Sequence, residues 1–449
     1  MRTGTFARAT ALSGAALLAL SACGGSSDDT AGSTAGSTEG SAGGGAKQVN
    51  VYGTDGNMGD PLGEDFTEQG ALAGMKGTTP LTELAGDFTS RLLEINPDLG
   101  TTFNYSGETY DAMVISALAA QLAGSNQATV WAPYVNGVTF GGEACDSFSA
   151  CLGIINAGGN PDYDGISGPQ SFAEAGEPAE ASFGILQFEA DNTIDPANNR
   201  YVLAGDVANA ATDEGPAPAA PGGTGDQLVF GTLLPETGDL AFLGPPEIAG
   251  AQLAVQEINE AGGVLGQDVR LEQGDSGDTS TDIATQTVDR LLQAGVNAII
   301  GAASSSVSLT VIDTIVGAGV VMFSPANTSD QFTGYDDKGL YFRTAPADTL
   351  QARALADLIA EDGANTVGIL ARNDSYGNGL ADNTMANLLS DGLSEDSVRK
   401  VIYDPTAANF SSEIQQMAEF NPDAIVVIGF DESSRIIQGL NAEGVGPQR

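Results

Sequence analysis

The residue types that most often carry catalysis are missing or isolated in this chain. It contains no histidine, which excludes Ser-His-Asp and Cys-His nucleophile systems and removes the commonest ligand of transition metals. Asp and Glu are abundant, so a hydrolase that uses a pair of carboxylates stays compatible with the composition. No nucleophile stands beside a base, however, and no cluster has metal-ligand spacing. We therefore expect no catalytic residue, metal or cofactor.

A serine-rich loop is the clearest candidate for binding an anion. An apolar strand predicted at 298–300 is followed by Gly-Ala-Ala-Ser-Ser-Ser, which ends in Ser304, Ser305 and Ser306. A helix is predicted from 306 to 317. Serine hydroxyls and the free N–H groups at a helix N-terminus suit a carboxylate or another anion. The plainer alternative is a serine that only caps the helix.

The N-terminal segment has the features of an export signal. Arg2 and Arg8 precede an apolar run at 11–20, which is too short to span a bilayer and ends in Leu-Ser-Ala-Cys. This resembles the lipobox of bacterial lipoproteins and predicts a signal peptide at 1–22, with a lipid on Cys23 that anchors the chain to the outer face of the cell membrane. The alternative is an ordinary secretory signal with an incidental cysteine. The Gly/Ser/Thr-rich segment 23–47 predicts a flexible tether.

Two further cysteines, Cys145 and Cys151, are six residues apart. In an exported protein this spacing favours a local disulfide. Two cysteines without histidine make a poor zinc site.

Composition restricts the partners of the chain. Its 59 acidic and 16 basic residues give a net charge of −43, which argues against nucleic acid because phosphate binding needs clustered Lys and Arg. The acidic residues are scattered, as on a solvated surface. An Ala/Pro/Gly-rich segment at 208–227 predicts a linker between two blocks, 48–207 and 228–449.

The second block alternates short apolar strands with amphipathic helices, which predicts an α/β fold with parallel sheets covered by helices on both faces. The predicted helices are 246–261, 281–294, 306–317, 377–390, 410–419 and 432–443. The first block opens on a strand at 48–52 and continues with helices at 80–95 and 109–122 and strands near 181–188 and 200–205. Each block alone resembles part of a fold.

The second block resembles type I periplasmic binding proteins, in particular the leucine/isoleucine/valine-binding group that serves ABC importers. The motifs are GTLLPETGDLAFLGPPEIAGAQLAVQEINEAGGVLG, AIIGAASSSVSLTVIDTIVGAGVVMFSPANTS, YFRTAPADTLQARALA and NDSYGNGLA. In the first block, VYGTDGN, FNYSGETYDAMVISALAAQLAG, YDGISGPQSF and FGILQF resemble the other end of the same family. The resemblance implies a circular permutation of one protein. Two unrelated truncated domains are the alternative.

This resemblance implies two doubly wound, Rossmann-like lobes joined by a hinge, with the ligand in the cleft between them. Lobe 1 would comprise 103–178, a return segment, and 228–345. Lobe 2 would comprise 48–102, the closing strands 179–207, and 346–449.

The resemblance also assigns roles to residues of lobe 1. Ser305, with Ser304 beside it, falls at the position that binds the ligand carboxylate. Ala326 falls where a backbone carbonyl accepts from the ligand ammonium, and Thr328 where side chain and amide assist both charged groups. A simple turn is the alternative for Ala326 and Thr328.

In lobe 2, Asp55 falls at the acidic residue that pairs with the ligand ammonium, Tyr376 beside the ligand, and Phe430 near the cleft. An Asp-Gly turn is the alternative for Asp55, and packing at the rim for Tyr376. Two positions that line the side-chain pocket depart from the branched-chain binders. Leu243 replaces an aromatic residue, and Tyr105 replaces a phenylalanine.

The resemblance thus implies a monomeric lipoprotein that binds an amino acid or a similar small polar solute and delivers it to the permease of an ABC importer. A ligand-sensing receptor of the same fold, acting on a membrane signalling partner, is the alternative.

Overall fold

The structure is a computed structural model that describes residues 49–212, 215–220 and 222–447. Cys23, the predicted signal peptide and the predicted tether lie outside this part of the chain. Within the described residues, no helix combines the length and the apolar character that crossing a bilayer requires.

The strands are short, as expected for a mainly parallel α/β protein. They are β1 Asn50–Thr54, β2 Lys76–Pro80, β3 Glu143–Cys145, β4 Pro161–Gly165, β5 Gly168–Pro169, β6 Glu180–Gln187, β7 Arg200–Gly205, β8 Val229–Leu233, β9 Arg270–Glu272, β10 Ala298–Gly301, β11 Val321–Ser324, β12 Tyr341–Arg343, β13 Val367–Arg372, β14 Val398–Tyr403 and β15 Ala424–Ile428.

Helices follow most of the parallel strands. They are α1 Asp60–Glu64, α2 Gly86–Ile95, α3 Ser106–Ala123, α4 Ala128–Trp131, α5 Phe148–Asn156, α6 Gly244–Glu260, α7 Ile283–Ala294, α8 Ser305–Gly317, α9 Asp348–Glu361, α10 Ser375–Ser390, α11 Ser411–Phe420 and α12 Ser433–Glu443.

Lobe 1 is built on a five-stranded parallel sheet with the order β12-β11-β10-β8-β9. Its three inner strands, β8, β10 and β11, are fully buried and mainly apolar, as expected for a parallel sheet covered by helices on both faces. Helix α3, from the first sequence block, packs closely on α6 from the second. A Cβ on Gly250 of α6 would lie 2.3 Å from the carbonyl oxygen of Ser106, so this approach requires glycine.

Lobe 2 is built on a seven-stranded sheet with the order β14-β13-β15-β1-β2-β6-β7. The first five strands are parallel, and β6 and β7 are antiparallel. Strand β1 pairs with β15 on one side and β2 on the other, so Tyr52 lies opposite both Val426 and Lys76. Both sequence blocks therefore contribute strands to one sheet.

Two expectations for the first block are corrected. The predicted helix 80–95 begins only at Gly86. Pro80 still belongs to β2 and pairs with β6, and 81–85 form neither helix nor strand. Helix α2 was expected in lobe 2 as part of 48–102. Instead, Phe88 is fully buried against Tyr110 of lobe 1, with ring centroids 5.5 Å apart, and Arg91 pairs with Glu257. The chain therefore passes to lobe 1 before α2.

The linker lies against lobe 1. The backbone N–H of Ala219 donates to the carbonyl of Leu122 at 2.8 Å, and the hydroxyl of Tyr134 donates to the carbonyl of Ala217 at 3.1 Å. In the same lobe, Cys145 and Cys151 form a disulfide with a Cα–Cα distance of 5.4 Å, which joins β3 to α5.

Candidate functional site

A small cavity of about 20 Å³ lies between the carboxyl ends of the two main sheets. Ligands of doubly wound folds bind at this edge. The structure brings all nine predicted binding residues together around this cavity. They are Asp55, Tyr105, Leu243, Ser304, Ser305, Ala326, Thr328, Tyr376 and Phe430.

The wall from lobe 1 begins at the N-terminus of α8. Ser304 is the N-cap residue, and its hydroxyl accepts from the N–H of Val307 at 3.4 Å. The hydroxyl of Ser305 accepts from the N–H of Ser329 at 3.3 Å. The partial positive charge of a helix N-terminus and these hydroxyls together favour an anion here.

Hydrogen bonds fix the next loop of lobe 1 relative to α8. Ser324 donates its hydroxyl to the carbonyl of Ala302 at 2.7 Å. The side-chain amide of Asn327 donates to the carbonyls of Ala302 and Ala303, both at 2.9 Å. Ala326 and Thr328 are therefore held at a set position relative to Ser305, on the same side of the cavity.

The wall from lobe 2 centres on Asp55, directly after β1. The N–H of Thr54 donates to the side-chain oxygen of Asn57 at 2.9 Å, and the amide of Asn57 donates to the carbonyl of Val427 at 2.9 Å. These bonds fix the turn that carries Asp55. A Cβ on Gly56 would lie 2.5 Å from the ring of Phe430, so glycine is needed for this close approach.

Three side chains donate to the buried carboxylate of Asp55. The hydroxyl of Tyr376 lies 2.7 Å from Oδ1, the amide of Gln351 lies 2.9 Å from Oδ1, and the hydroxyl of Tyr105 lies 2.8 Å from Oδ2. Burial raises the pKa of Asp55, and the three donors oppose this shift because they stabilise the charged form. This arrangement is suited to a carboxylate that binds a cationic group of a ligand.

Tyr105 reaches Asp55 from an unusual backbone conformation. Its φ is 59° and its ψ is 8°, in the left-handed region that residues with side chains rarely adopt. The residue directly precedes α3 of lobe 1, and its ring is 2% exposed. Non-glycine residues in this region concentrate at functional sites, where the surrounding structure compensates for the strain.

Aromatic rings close one side of the cavity. The rings of Tyr376 and Phe430 stack with centroids 5.3 Å apart, and the guanidinium of Arg372 lies 3.6 Å from the centroid of Phe430. Arg372 also pairs with Glu432 at 3.0 Å and, across the cleft, with Asp239 at 3.5 Å. The ring of Phe430 thus lies against the Tyr376 ring and the Arg372 guanidinium, which fix its orientation toward the cavity.

Sequence reasoning missed four residues at this site. Gly56, Leu240 and Ala303 line the cavity, and Gln351 contacts Asp55 behind it. The first three are neighbours of predicted residues and could have been included by extending each loop. Gln351 lies on a helix far along the chain, and no motif singled it out.

The cavity presents opposite polarities at its two walls. Lobe 1 supplies a helix N-terminus and serine hydroxyls, lobe 2 supplies Asp55, and Leu240, Leu243 and Phe430 add apolar surface. No Lys or Arg lines the cavity among the described residues. These groups complement the carboxylate, the ammonium and an apolar side chain of an α-amino acid.

A larger groove of about 510 Å³ lies between the 101–104 segment and the loop that connects β6 to β7. It contains none of the predicted residues.

Residues 227–449 match the periplasmic binding protein family. A Leu/Ile/Val-binding protein homologue from Brucella abortus is 31% identical over 231 residues, which cover 49% of this chain and 56% of the relative. The Leu/Ile/Val/Thr-binding protein of Salmonella typhimurium is 27% identical and is covered over 59% of its length. The chain thus spans little more than half the length of these relatives, which are binding proteins and not enzymes.

Two solved structures with partial similarity are also binding proteins. A leucine-binding protein from Thermotoga maritima is 27% identical, with a TM-score of 0.41, 45% of this chain covered and 56% of that one. A branched-chain amino acid transporter substrate-binding protein from Streptococcus pneumoniae, in complex with isoleucine, is 26% identical, with a TM-score of 0.42, 49% of this chain covered and 62% of that one. Over residues 227–449, this chain is thus similar to the periplasmic binding protein family.

Proposed function

We propose that this protein binds an α-amino acid in the cleft between its lobes and delivers it to an ABC importer. The observation that carries the proposal is the opposition of Ser305, at the N-terminus of α8, to the buried carboxylate of Asp55 across one cavity. A zwitterion satisfies both walls at once, whereas an anion alone would meet Asp55 unfavourably. The names of the relatives, which bind leucine, isoleucine, valine or threonine, support an amino acid as the ligand.

The side chain of the ligand is the less constrained part of the proposal. Leu240, Leu243 and Phe430 favour an apolar side chain. An aliphatic amino acid therefore complements these walls best.

The test is a thermal unfolding screen of the protein without residues 1–22, using the proteinogenic amino acids and their amides. A ligand at a hundred times its Kd should stabilise the folded protein by about 2.7 kcal/mol. Stabilisation by amino acids but not by their amides, which lack the carboxylate, would support binding of the ligand carboxylate at the serine wall of lobe 1. The absence of a shift with every amino acid would refute the proposal.

We further propose that Cys23 carries a lipid, which would keep the protein beside the importer at the outer face of the membrane. The lipobox-like sequence before Cys23 supports this. Replacing Cys23 with Ser should release the protein from the membrane fraction of expressing bacteria. Retention of the Cys23→Ser variant in that fraction would contradict the anchor.

We also infer that the chain is a circular permutation of the family's order. Strands β15 and β1 are adjacent and parallel, and Ile436 and Leu440 of α12 share a hydrophobic core with Val51 of β1. This is the packing of a β-α-β unit in which α12 would lead into β1. The match of only 227–449 to the family in linear order is consistent with this inference.

A rearranged gene tests the permutation. The variant would run from 228 to 447, continue directly into 49 and end at 207, without the linker. It should fold and show the same amino-acid stabilisation as the parent chain. A variant that stays unfolded while the parent folds would contradict the permutation, independently of the ligand.

A further inference from the structure

We propose that Gln351 is a positioning residue that holds the Asp55 carboxylate in its ligand-receiving orientation and thereby sets the preference for ligands with an ammonium group. This inference rests on the proposed amino-acid site. It assigns a role to a residue that does not line the cavity and acts through Asp55.

The geometry of the Gln351 amide is specific. Its nitrogen lies 2.9 Å from Oδ1 of Asp55 and 3.0 Å from the carbonyl oxygen of Thr78. The two hydrogens of the amide nitrogen therefore have one acceptor each. The opposite orientation would place the amide oxygen against a carboxylate and a carbonyl, so the surroundings themselves select the donor orientation.

The position of Gln351 makes this contact rigid. The residue is fully buried in the first turn of α9, directly after a chain crossing between the lobes. Thr78 belongs to β2, the strand next to the one that leads into Asp55. Gln351 thus connects the carboxylate to the sheet of lobe 2. The amide oxygen of Gln351 has no hydrogen-bond partner among the described residues, so the side chain is held through its nitrogen.

Gln351 differs from the other groups around Asp55 in the side from which it donates its hydrogen bond. The titratable neighbours are Tyr376 on α10, Tyr105 before α3 and Asp348 on α9. The tyrosines donate from the cavity side, where a ligand also approaches. Burial, and then the charge of Asp55, raise the pKa of Asp348. Gln351 donates from behind the carboxylate, so its contact need not be given up when a ligand ammonium binds.

This placement has a measurable consequence. A donor to the ionised carboxylate lowers the pKa of Asp55, and its removal raises that pKa. An ammonium ligand binds the ionised form of Asp55. In a variant with a raised Asp55 pKa, acidification should therefore abolish binding at a higher pH than in the parent protein. If Gln351 had a purely structural role, its replacement would weaken binding equally at every pH.

The experiment measures the affinity for the amino acid that stabilises the protein most in the screen, by calorimetric titration across the pH range of binding. Gln351→Leu keeps the approximate volume but removes the donor. We expect a loss of about tenfold at neutral pH and an upward shift of about one unit in the pH of half-maximal affinity. Gln351→Glu should shift that pH further, because a second carboxyl faces Asp55. Circular dichroism identifies the variants that fold.

The outcomes separate the inference from the proposed function. If the parent protein binds an amino acid and both folded variants keep its pH of half-maximal affinity, the positioning role of Gln351 is refuted and the amino-acid site stands. If Gln351→Glu does not fold, the leucine variant alone decides. If the parent binds no amino acid, the proposed function and this inference both fail.

Discussion

The hydroxyl of Tyr105 donates a 2.8 Å hydrogen bond to Oδ2 of Asp55, and the two residues belong to different lobes. Tyr105 precedes α3 of lobe 1, whereas Asp55 follows β1 of lobe 2. The contact joins the two lobes at the main negative charge of the cavity.

Replacing Tyr105 with Phe should remove this link without changing the shape of the ring. Because a hydrogen bond to a charged group contributes roughly 1.5–3 kcal/mol, we expect a loss of that order in the free energy of unfolding at neutral pH. Urea denaturation measures it. Tyr335→Phe is the matched control, since the Tyr335 hydroxyl contacts Asp313 at an exposed site. Equal stability of the two variants would show that the Tyr105 hydroxyl contributes little.

Replacing Asp55 with Asn should abolish the attraction for a ligand ammonium. Loss of one partner from a buried charge pair costs roughly 2–5 kcal/mol, so we expect affinity to fall by about a hundredfold or more in calorimetric titration. The exposed Asp396→Asn serves as control. Unchanged affinity would remove Asp55 from the site.

Two buried carboxyl groups predict a loss of stability in alkaline solution. Burial raises the pKa of Glu108 to about 8, and burial together with Glu108 raises the pKa of Glu247. Groups with raised pKa values stabilise the fold below their unfolded pKa, and this contribution is lost as the pH rises through the folded value. The melting temperature should therefore fall between pH 6 and pH 9.

Glu247→Gln should reduce this fall, because neither oxygen of Glu247 has a hydrogen-bond partner among the described residues. At pH 9 the variant should melt at least about 3 °C above the parent, equivalent to roughly 1 kcal/mol. The exposed Glu395→Gln should follow the parent. A parent melting temperature that stays level or rises with pH would contradict the prediction.

The disulfide should contribute only modestly to the free energy of unfolding, because it closes a short loop. For a separation of six residues between Cys145 and Cys151, the loop-entropy relation gives about 2 kcal/mol. The double variant Cys145→Ser with Cys151→Ser should therefore remain folded, with a lower melting temperature and unchanged ligand affinity. Mass spectrometry after alkylation, with and without reductant, checks the bond. Free thiols in the protein without reductant would contradict it.

Local pattern predicted much of the fold because most strands here are apolar on both faces and most helices have one apolar side. The strand predicted at 298–300 begins at the same residue in the structure, where β10 spans Ala298–Gly301. The pattern failed at 80–85, where pairing with β6 extends a strand through Pro80 and 81–85 form neither helix nor strand. It also could not assign α2 to lobe 1, since that depends on the burial of Phe88 against Tyr110.

The cavity residues could be predicted because the family resemblance assigned them, and several of them directly follow strands. Ser305 follows β10 and Asp55 follows β1, and the ends of parallel strands meet at one edge of a sheet. Gln351 could not be found in this way, because it contacts Asp55 from the interior of a helix across 296 residues of sequence.

The pairing of β1 with β15 also affects how the chain acquires its structure. Asn50 lies opposite Ala424, so one of the central ladders of lobe 2 joins segments from distant parts of the sequence. Strands β1, β2, β6 and β7 can pair with one another, but β1 lacks its other neighbour until β15 is available, and pairing across long sequence separations is slow. Lobe 1 has its five strands within 229–343, so its sheet needs only local segments. The sheet of lobe 2 should therefore be completed later than the sheet of lobe 1.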